Sequence, residues 1–305
     1  MSYKLFRPLK HREDWPAAIQ ALLGPFLMIA PFVLQATYDL SIWFYVAYWP
    51  LFWFGISRNN YILHNHCHNP MSRHKGLNRL LDYALGMVTG MSAGTWRLTH
   101  NHGHHVTYMR DKLPHHWIPF VEEDEPLLRD YSLKNAFWFS AKTTPVQWFG
   151  ILNISLVRWM DGGFRAPYYR YLFWEAVGIW GLVGLLAWVD WQFCLAFVLL
   201  PHFLAHFFSR YIDYLFHVCA NPLVNYEYCF SCINDTYNWW CWNAGYHLAH
   251  HDQPRLHWSL LPSHHESLST KHPKIKKLTR TYNYSGIFAL HHAHWEQLDP
   301  RPRMF

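Results

Sequence analysis

The sequence is short of charge. Only 15% of its 305 residues are Asp, Glu, Lys or Arg, against 51% hydrophobic and 19% aromatic, which is too little for an ordinary soluble domain. It also lacks a cysteine framework. Its six cysteines follow no regular spacing and fall in segments read as cytoplasmic or membrane, which argues for reduced thiols and against a disulfide-stapled fold. Cys229-Phe-Ser-Cys232, with Cys241 further on, has no second ligand pair of the kind a structural zinc site uses. There is no four-cysteine iron–sulfur pattern, no glycine fingerprint for flavin or nicotinamide and no fused haem domain, so electrons for any redox reaction must come from a separate donor. The opening MSYKLFRPLKHRED puts charges where a signal peptide has its apolar core, and the first apolar segment is expected to be retained. No repeat or low-complexity linker interrupts the chain, and one domain over residues 1–305 is expected.

What is present is apolar length. Segments near 17–37 and 40–57, and again a pair near 169–189 and 191–209, read as long enough to span a bilayer core, which needs about 20 predominantly apolar residues. Only Tyr38-Asp39 and Asp190-Trp191 separate the members of each pair, so each pair reads as a tight helical hairpin that starts and finishes on one side. Lys4, Arg7, Lys10, His11 and Arg12 precede the first hairpin, while the tips carry no Lys or Arg. The positive-inside bias therefore assigns both termini and the long segments 58–167 and 210–305 to the cytoplasm. The expectation is an all-α, multi-pass integral membrane protein with four transmembrane helices in two hairpins and a cytoplasmic helical cap. Leu80–Met91 is too short and glycine-punctuated to span and is expected to dip into the interface. Residues 133–160, with Phe137, Trp138, Phe139, Trp148, Phe149 and Trp159 among polar neighbours, read as amphipathic surface helices. The net charge of +6 includes a basic run at Lys271, Lys274, Lys276, Lys277 and Arg280 that suits an acidic protein carrier or anionic lipid; the hairpins argue against nucleic acid.

Histidine is plentiful, at 24 residues, and three clusters have a common spacing: His64-Asn-His66-Cys-His68, His100-Asn-His102-Gly-His104-His105 and His247-Leu-Ala-His250-His251. On a helix, residues three or four apart share a face, so each cluster offers part of a metal site. One zinc would be satisfied by three or four ligands, whereas the clusters hold eight histidines at the repeated positions. The doublets His104-His105 and His250-His251 are rotated by about 100° about a helix axis and can reach different metals. Two metals therefore fit better than one. His115-His116, His264-His265 and His291-His292 have no such context and read as chance pairs. A metal-transport or storage protein stays open as a different class, but it would place ligands inside the membrane helices, where only His202 and His206 lie.

The order of an HxxxH box after the second apolar segment, an HxxxHH box after Trp96-Arg97, and Asn243-Ala-Gly-Tyr-His247-Leu-Ala-His250-His251-Asp-Gln-Pro254-Arg255 with Trp258-Ser-Leu-Leu-Pro262 resembles the membrane fatty acid desaturase and hydroxylase superfamily over about residues 40–265. The resemblance implies a non-haem diiron centre held by histidine, O2 as oxidant, a hydrophobic acyl chain as substrate and a ferredoxin, rubredoxin or cytochrome b5-like donor. It also implies one more histidine between the last two boxes, for which His217 is the candidate. It ends a helically spaced stripe of His202, His206, Arg210, Asp213 and His217. The ligand set is then His64, His68, His100, His104, His105, His217, His247, His250 and His251, with Asn243 holding a metal-bound water. Arg210 and Asp213 are expected to orient His217, and His66, His102, His202 and His206 to take other roles. Desaturation, hydroxylation and oxidative decarboxylation to a terminal alkene all begin with the same hydrogen abstraction. The Pro-Arg after the last box and the absence of an Asn-Tyr-x-Glu-His segment favour desaturation.

Overall fold

A computed structural model of the chain describes residues 8–111, 125–128, 132–162 and 167–280. Lys4, Arg7, His115, His116, His291 and His292 lie outside the described residues. The described chain is helical apart from a short parallel pairing of Ser231–Cys232 with Thr279–Arg280 and an isolated antiparallel bridge between Leu9 and Ser72. Its contacts gather into two compact units, Met1–Arg97 with Trp148–His206, and Leu98–Gln147 with Phe207–Phe305. Each unit is assembled from two stretches of chain, so no single cut yields two consecutive domains.

The first unit is built on apolar helices. Helix α1 (Trp15–Thr37) has 23 residues, about 34 Å at helical rise. It buries Ala17, Ala18, Ala21 and Met28 and turns Trp15, Ile19, Leu23 and Phe26 outward. A small-residue face packed inward and a large apolar face outward is the reverse of a soluble helix and suits a lipid solvent. Helix α2 (Ile42–Ser57) passes through Arg58, whose backbone remains helical, into α3 (Asn59–His68), so the first histidine box is a continuation of the second apolar segment. Helix α4 (Lys75–Thr89) stops at Gly90, which is left-handed at φ +70°. A Cβ there would fall 2.6 Å from the His202 ring, and glycine is the residue that meets both demands. Helix α5 (Ala93–Trp96) is capped by Ser92, whose hydroxyl accepts the Thr95 N–H at 3.1 Å.

Helices α8 (Pro167–Val189) and α9 (Trp191–Cys194) are separated by Asp190 alone. The Asp190 carboxylate accepts the N–H groups of Gln192 and Phe193, both at 3.0 Å, which gives the tip its acid: a helix start favours negative charge and an acceptor side chain. Among the described residues three helical stretches are long and apolar enough to cross a membrane: Arg12–Thr37, Arg170–Val189 and Trp191–His217. The segment expected as the remaining span is α2, and its 16 residues reach only about 24 Å of a core about 30 Å thick.

The second unit contains a π-helix (Arg97–Thr107), α6 (Tyr108–Asp111), the first half of α7 (Leu133–Gly162), the latter half of α10 (Leu200–His217), α11 (Asp235–Trp240), α12 (His247–Asp252) and α13 (Leu261–Lys271). Tyr108, Tyr214, Tyr237, Cys229, Leu248 and Ala249 are fully buried in its core. Residues 133–160, expected as separate surface helices, lie within one helix of 30 residues with Pro145 inside it.

Candidate metal centre

The second histidine box sits on the π-helix, and this local fold decides which of its side chains meet. Hydrogen bonds in a π-helix run from i to i+5, so the turn is wider than in an α-helix. His100 is thereby brought to His105, with Nε2 atoms 3.2 Å apart, while His104, its ring stacked on His100 at 4.8 Å between centroids, turns its Nε2 to His251. His250 of α12 closes on the same pair, its Nε2 2.9 Å from that of His105. A second group forms beside it from His104, His217, His247 and His251, whose ligand atoms all lie within 4.8 Å of one another. Here His104 Nε2 is 3.0 Å from His251 Nε2, His217 Nε2 is 2.9 Å from His247 Nε2, and His251 Nε2 is 3.2 Å from His247 Nε2. Each doublet is thus divided, His104 from His105 and His251 from His250.

Hydrogen bonding among the rings alone does not explain this convergence. A neutral imidazole has one N–H and one lone pair, and the side chains of these seven residues point Nε2 atoms at each other while being at most 9% exposed. Metal–nitrogen bonds of about 2.0–2.1 Å place neighbouring nitrogens about 2.9 Å apart at a right angle and about 3.3 Å apart at the tetrahedral angle. The observed 2.9–3.2 Å separations match the edges of such polyhedra. An all-imidazole donor set suits a first-row transition metal and not calcium or magnesium. Burial, reinforced by the rings of His247, His104, His217 and His250, holds His251 well below the usual histidine range. It is therefore neutral near pH 7, with a lone pair to offer.

The surrounding residues hold these rings in place. His217 Nδ1 lies 3.2 Å from the Tyr228 carbonyl, and donating there leaves its Nε2 lone pair directed at the group. The same carbonyl accepts the Tyr108 hydroxyl at 2.7 Å, and Phe216 stacks on His247 with ring centroids 4.4 Å apart. The start of α12 is tied by the Leu248 N–H to Ser231 Oγ at 3.0 Å. Before it the chain turns through left-handed Trp242 and Asn243. At Gly245 an added Cβ would lie 2.5 Å from both Asn238 Oδ1 and the Cys232 carbonyl. The Asn-x-Gly preceding the box is therefore a packed turn. Asn243 Nδ2 donates to the Trp258 carbonyl at 3.2 Å.

The remaining expected site residues divide by unit. In the first, His64 and His68 stand with ring centroids 5.0 Å apart on α3. His66 turns away from them: its Nδ1 accepts the Met71 N–H at 3.3 Å and its Nε2 lies 3.2 Å from Asp82 Oδ1. His202 Nε2 meets the Met87 carbonyl at 2.7 Å, and His206 packs beside Trp148. In the second unit His102 is exposed. Arg210 is buried, in electrostatic contact with Asp213 one turn along, and it is the Tyr228 carbonyl that meets His217 Nδ1. Cys229, Cys232 and Cys241 are buried, form no disulfide and join no metal-ligand group among the described residues. Lys274 lies 3.7 Å from Glu227; the side chains of Lys277 and Arg280 are outside the described residues. Three residues escaped the sequence reading. Asp82, a lone acid in an apolar stretch, and Tyr108, one helical turn beyond His104, had visible signals; the Tyr228 carbonyl had none.

Comparison with protein-family models matches residues 40–283 to the fatty acid desaturase family. No curated protein and no solved structure gives a match. The matched span contains all three boxes and His217, and it covers most of the chain, including the long apolar stretches Arg170–Val189 and Trp191–His217 but not Arg12–Thr37. The chain therefore belongs to the fatty acid desaturase family, whose members are oxidoreductases acting on acyl chains.

Proposed function

We propose that this protein is a membrane-bound diiron oxidase that uses O2 to remove hydrogen from an acyl chain, with desaturation of a fatty acid or lipid as its reaction. The observation that supports this best is the division of each histidine doublet between two buried all-nitrogen groups at 2.9–3.2 Å spacing. His104, His217, His247 and His251 would hold one iron. His100, His105 and His250 would hold the other, and His64 and His68 belong to the ligand set by resemblance. Iron bound there would supply the reductive activation of dioxygen. The chain's own residues do the rest: the Tyr228 carbonyl keeps His217 in its ligating tautomer, burial keeps the rings neutral and water out, and the Asn243–Trp258 hydrogen bond holds the turn that presents α12. Asn243 is also assigned, by resemblance alone, to a water at the centre, and Arg210 with Asp213 to the support of His217.

Both termini and the centre are assigned to the cytoplasmic side. The exposed cations Lys10 and Arg12 precede the first apolar helix, and Asp39 and Asp190 occupy the far ends, in accord with the positive-inside bias. Electrons come from a separate carrier of the ferredoxin, rubredoxin or cytochrome b5 type. The test is metal analysis of purified protein together with lipid and headspace mass spectrometry of cells expressing it with a donor. Two irons per chain and new acyl double bonds are expected. New hydroxyls or volatile alkenes would replace desaturation by the neighbouring reactions, and a single zinc with unchanged lipids would overturn the reading.

A further inference from the structure

Unit one carries a rim of exposed cations assembled from two parts of the chain some sixty residues apart. Residues 8–10 run antiparallel to 71–73: Leu9 bridges Ser72, the Lys10 N–H donates to the Met71 carbonyl at 2.7 Å, and the Arg73 N–H donates to the Pro8 carbonyl at 3.3 Å. Leu9 and Ser72 point inward, 4% and 2% exposed, which leaves their neighbours Lys10 and Arg73 on the surface. Arg12 follows on one strand, and Lys75 and Arg79 on the first turns of α4; all are exposed. The positive end of the α4 dipole adds to the same field. Opposition is slight. Of the acids in this stretch Asp14 and Asp82 are buried, Asp39 lies at the hairpin tip, and Glu13 is engaged by Arg12 at 3.7 Å.

The rim has a defined height. Arg12 precedes Trp15 by three residues, about 6 Å at the rise of the 3-10 turn Arg12–Asp14, and Trp15 opens the outward apolar stripe of Ile19, Leu23 and Phe26 on α1. On α4 the exposed Leu80 stands next to Arg79. Cations directly above an apolar skirt, with a tryptophan at the junction, match the headgroup level of a bilayer. Arg79 is also ordered for such a role: its guanidinium lies 3.3 Å above the Tyr171 ring centroid, so the stem is held and the N–H edge is what a ligand meets. An acidic protein carrier would need the charges but not the skirt.

We infer that Lys10, Arg12, Arg73, Lys75 and Arg79 form a binding surface for the phosphate groups of anionic phospholipids. The inference is independent of the metal centre. It is tested by titrating detergent-solubilised holoprotein with phosphatidylglycerol and, separately, phosphatidylcholine, and reading bound lipid by native mass spectrometry. Phosphatidylglycerol should bind at least about tenfold more tightly, and Lys10→Gln/Arg73→Gln/Lys75→Gln/Arg79→Gln should remove that preference, since each basic residue at a membrane surface contributes a severalfold factor. The charge-keeping Arg73→Lys/Arg79→Lys should retain most of it. Exposed single variants Arg73→Gln and Lys75→Gln should each lower it severalfold, and they serve if the quadruple variant does not fold. Equal binding of the two lipids by the wild type, or an undiminished preference in the variants, would overturn the inference. A raised KM for an acidic electron donor with lipid preference intact would reassign the surface to the donor.

Discussion

Replacing Asp82 by Asn should loosen the first unit where the first histidine box and Arg97 meet α8. The carboxylate is 4% exposed and receives Arg97 from two directions, Nη2 to Oδ1 at 2.7 Å and Nη1 to Oδ2 at 3.4 Å. The Tyr171 hydroxyl donates to Oδ2 at 2.6 Å, and His66 Nε2 lies 3.2 Å from Oδ1. Burial pushes the acid up, but the His66 hydrogen bond and the Arg97 charge outweigh it and hold Asp82 down to about 2. A folded value below the ordinary 3.8 means the carboxylate stabilises the fold above pH 3.8 and loses that contribution as pH falls through 2, a term of about 2 kcal/mol. Asparagine keeps the shape, leaves Arg97 without a counter-charge and presents a donor to surrounding donors. Removing one partner of a buried pair costs about 3–5 kcal/mol; the Arg97 side chain is 23% exposed, which moves the expectation to about 2–4 kcal/mol. Thermal unfolding in detergent should fall by about 5–10 °C. Because His66 sits between His64 and His68, metal bound per chain should fall as well. The double variant Asp82→Asn/Arg97→Gln should be little worse than the poorer single, since both remove one interaction. Additive losses, or a single variant with wild-type melting and full metal, would refute the reasoning.

Three further outcomes follow from the centre and its surroundings. His247→Ala should remove the metal of the four-histidine group and His250→Ala that of the other, each taking bound metal by mass spectrometry from about two per chain to about one; unchanged content in either would break the assignment. Tyr108→Phe keeps the ring beside His104 and His217 but removes one of the two partners of the Tyr228 carbonyl, leaving His217 Nδ1 there alone, so affinity in a chelator competition should weaken by up to about tenfold, with no change counting against this role. His265, 6% exposed, is pushed down to about 4 by burial and then by His264. Its neutral form is the one that folds, so its contribution is complete above pH 6.5 and is lost as pH falls towards 4, about 2 kcal/mol by pH 5. Melting of metal-free protein should be less sensitive to acid in His265→Gln than in the wild type, and equal slopes would sink the idea.

How far the site could be read in advance depended on whether a residue's partner was near in sequence or only near in space. The spacing of the third box transfers directly: on α12, His247 and His251 are four apart and their Nε2 atoms lie 3.2 Å apart. The second box obeys the same count but not the same helix. In the π-helix His100 meets His105 at i+5, so a rule built on 3.6 residues per turn pairs it with His104. A single residue of register thus decides which Nε2 of the second box meets His100, and it arises from hydrogen bonding that side-chain identity does not announce. Asp82 shows a second limit. Its isolation in an apolar run marks it as unusual, since a buried acid must be paired, but Arg97 is fifteen residues away, Tyr171 eighty-nine, and only folding brings them together. The rim of cations is the same case on the surface: Lys10 and Arg73 become neighbours through one two-residue bridge. Hydrophobic length was legible because it is a property of consecutive residues, and even there α2 shows the margin, since its 16 residues are apolar throughout and still shorter than the bilayer core.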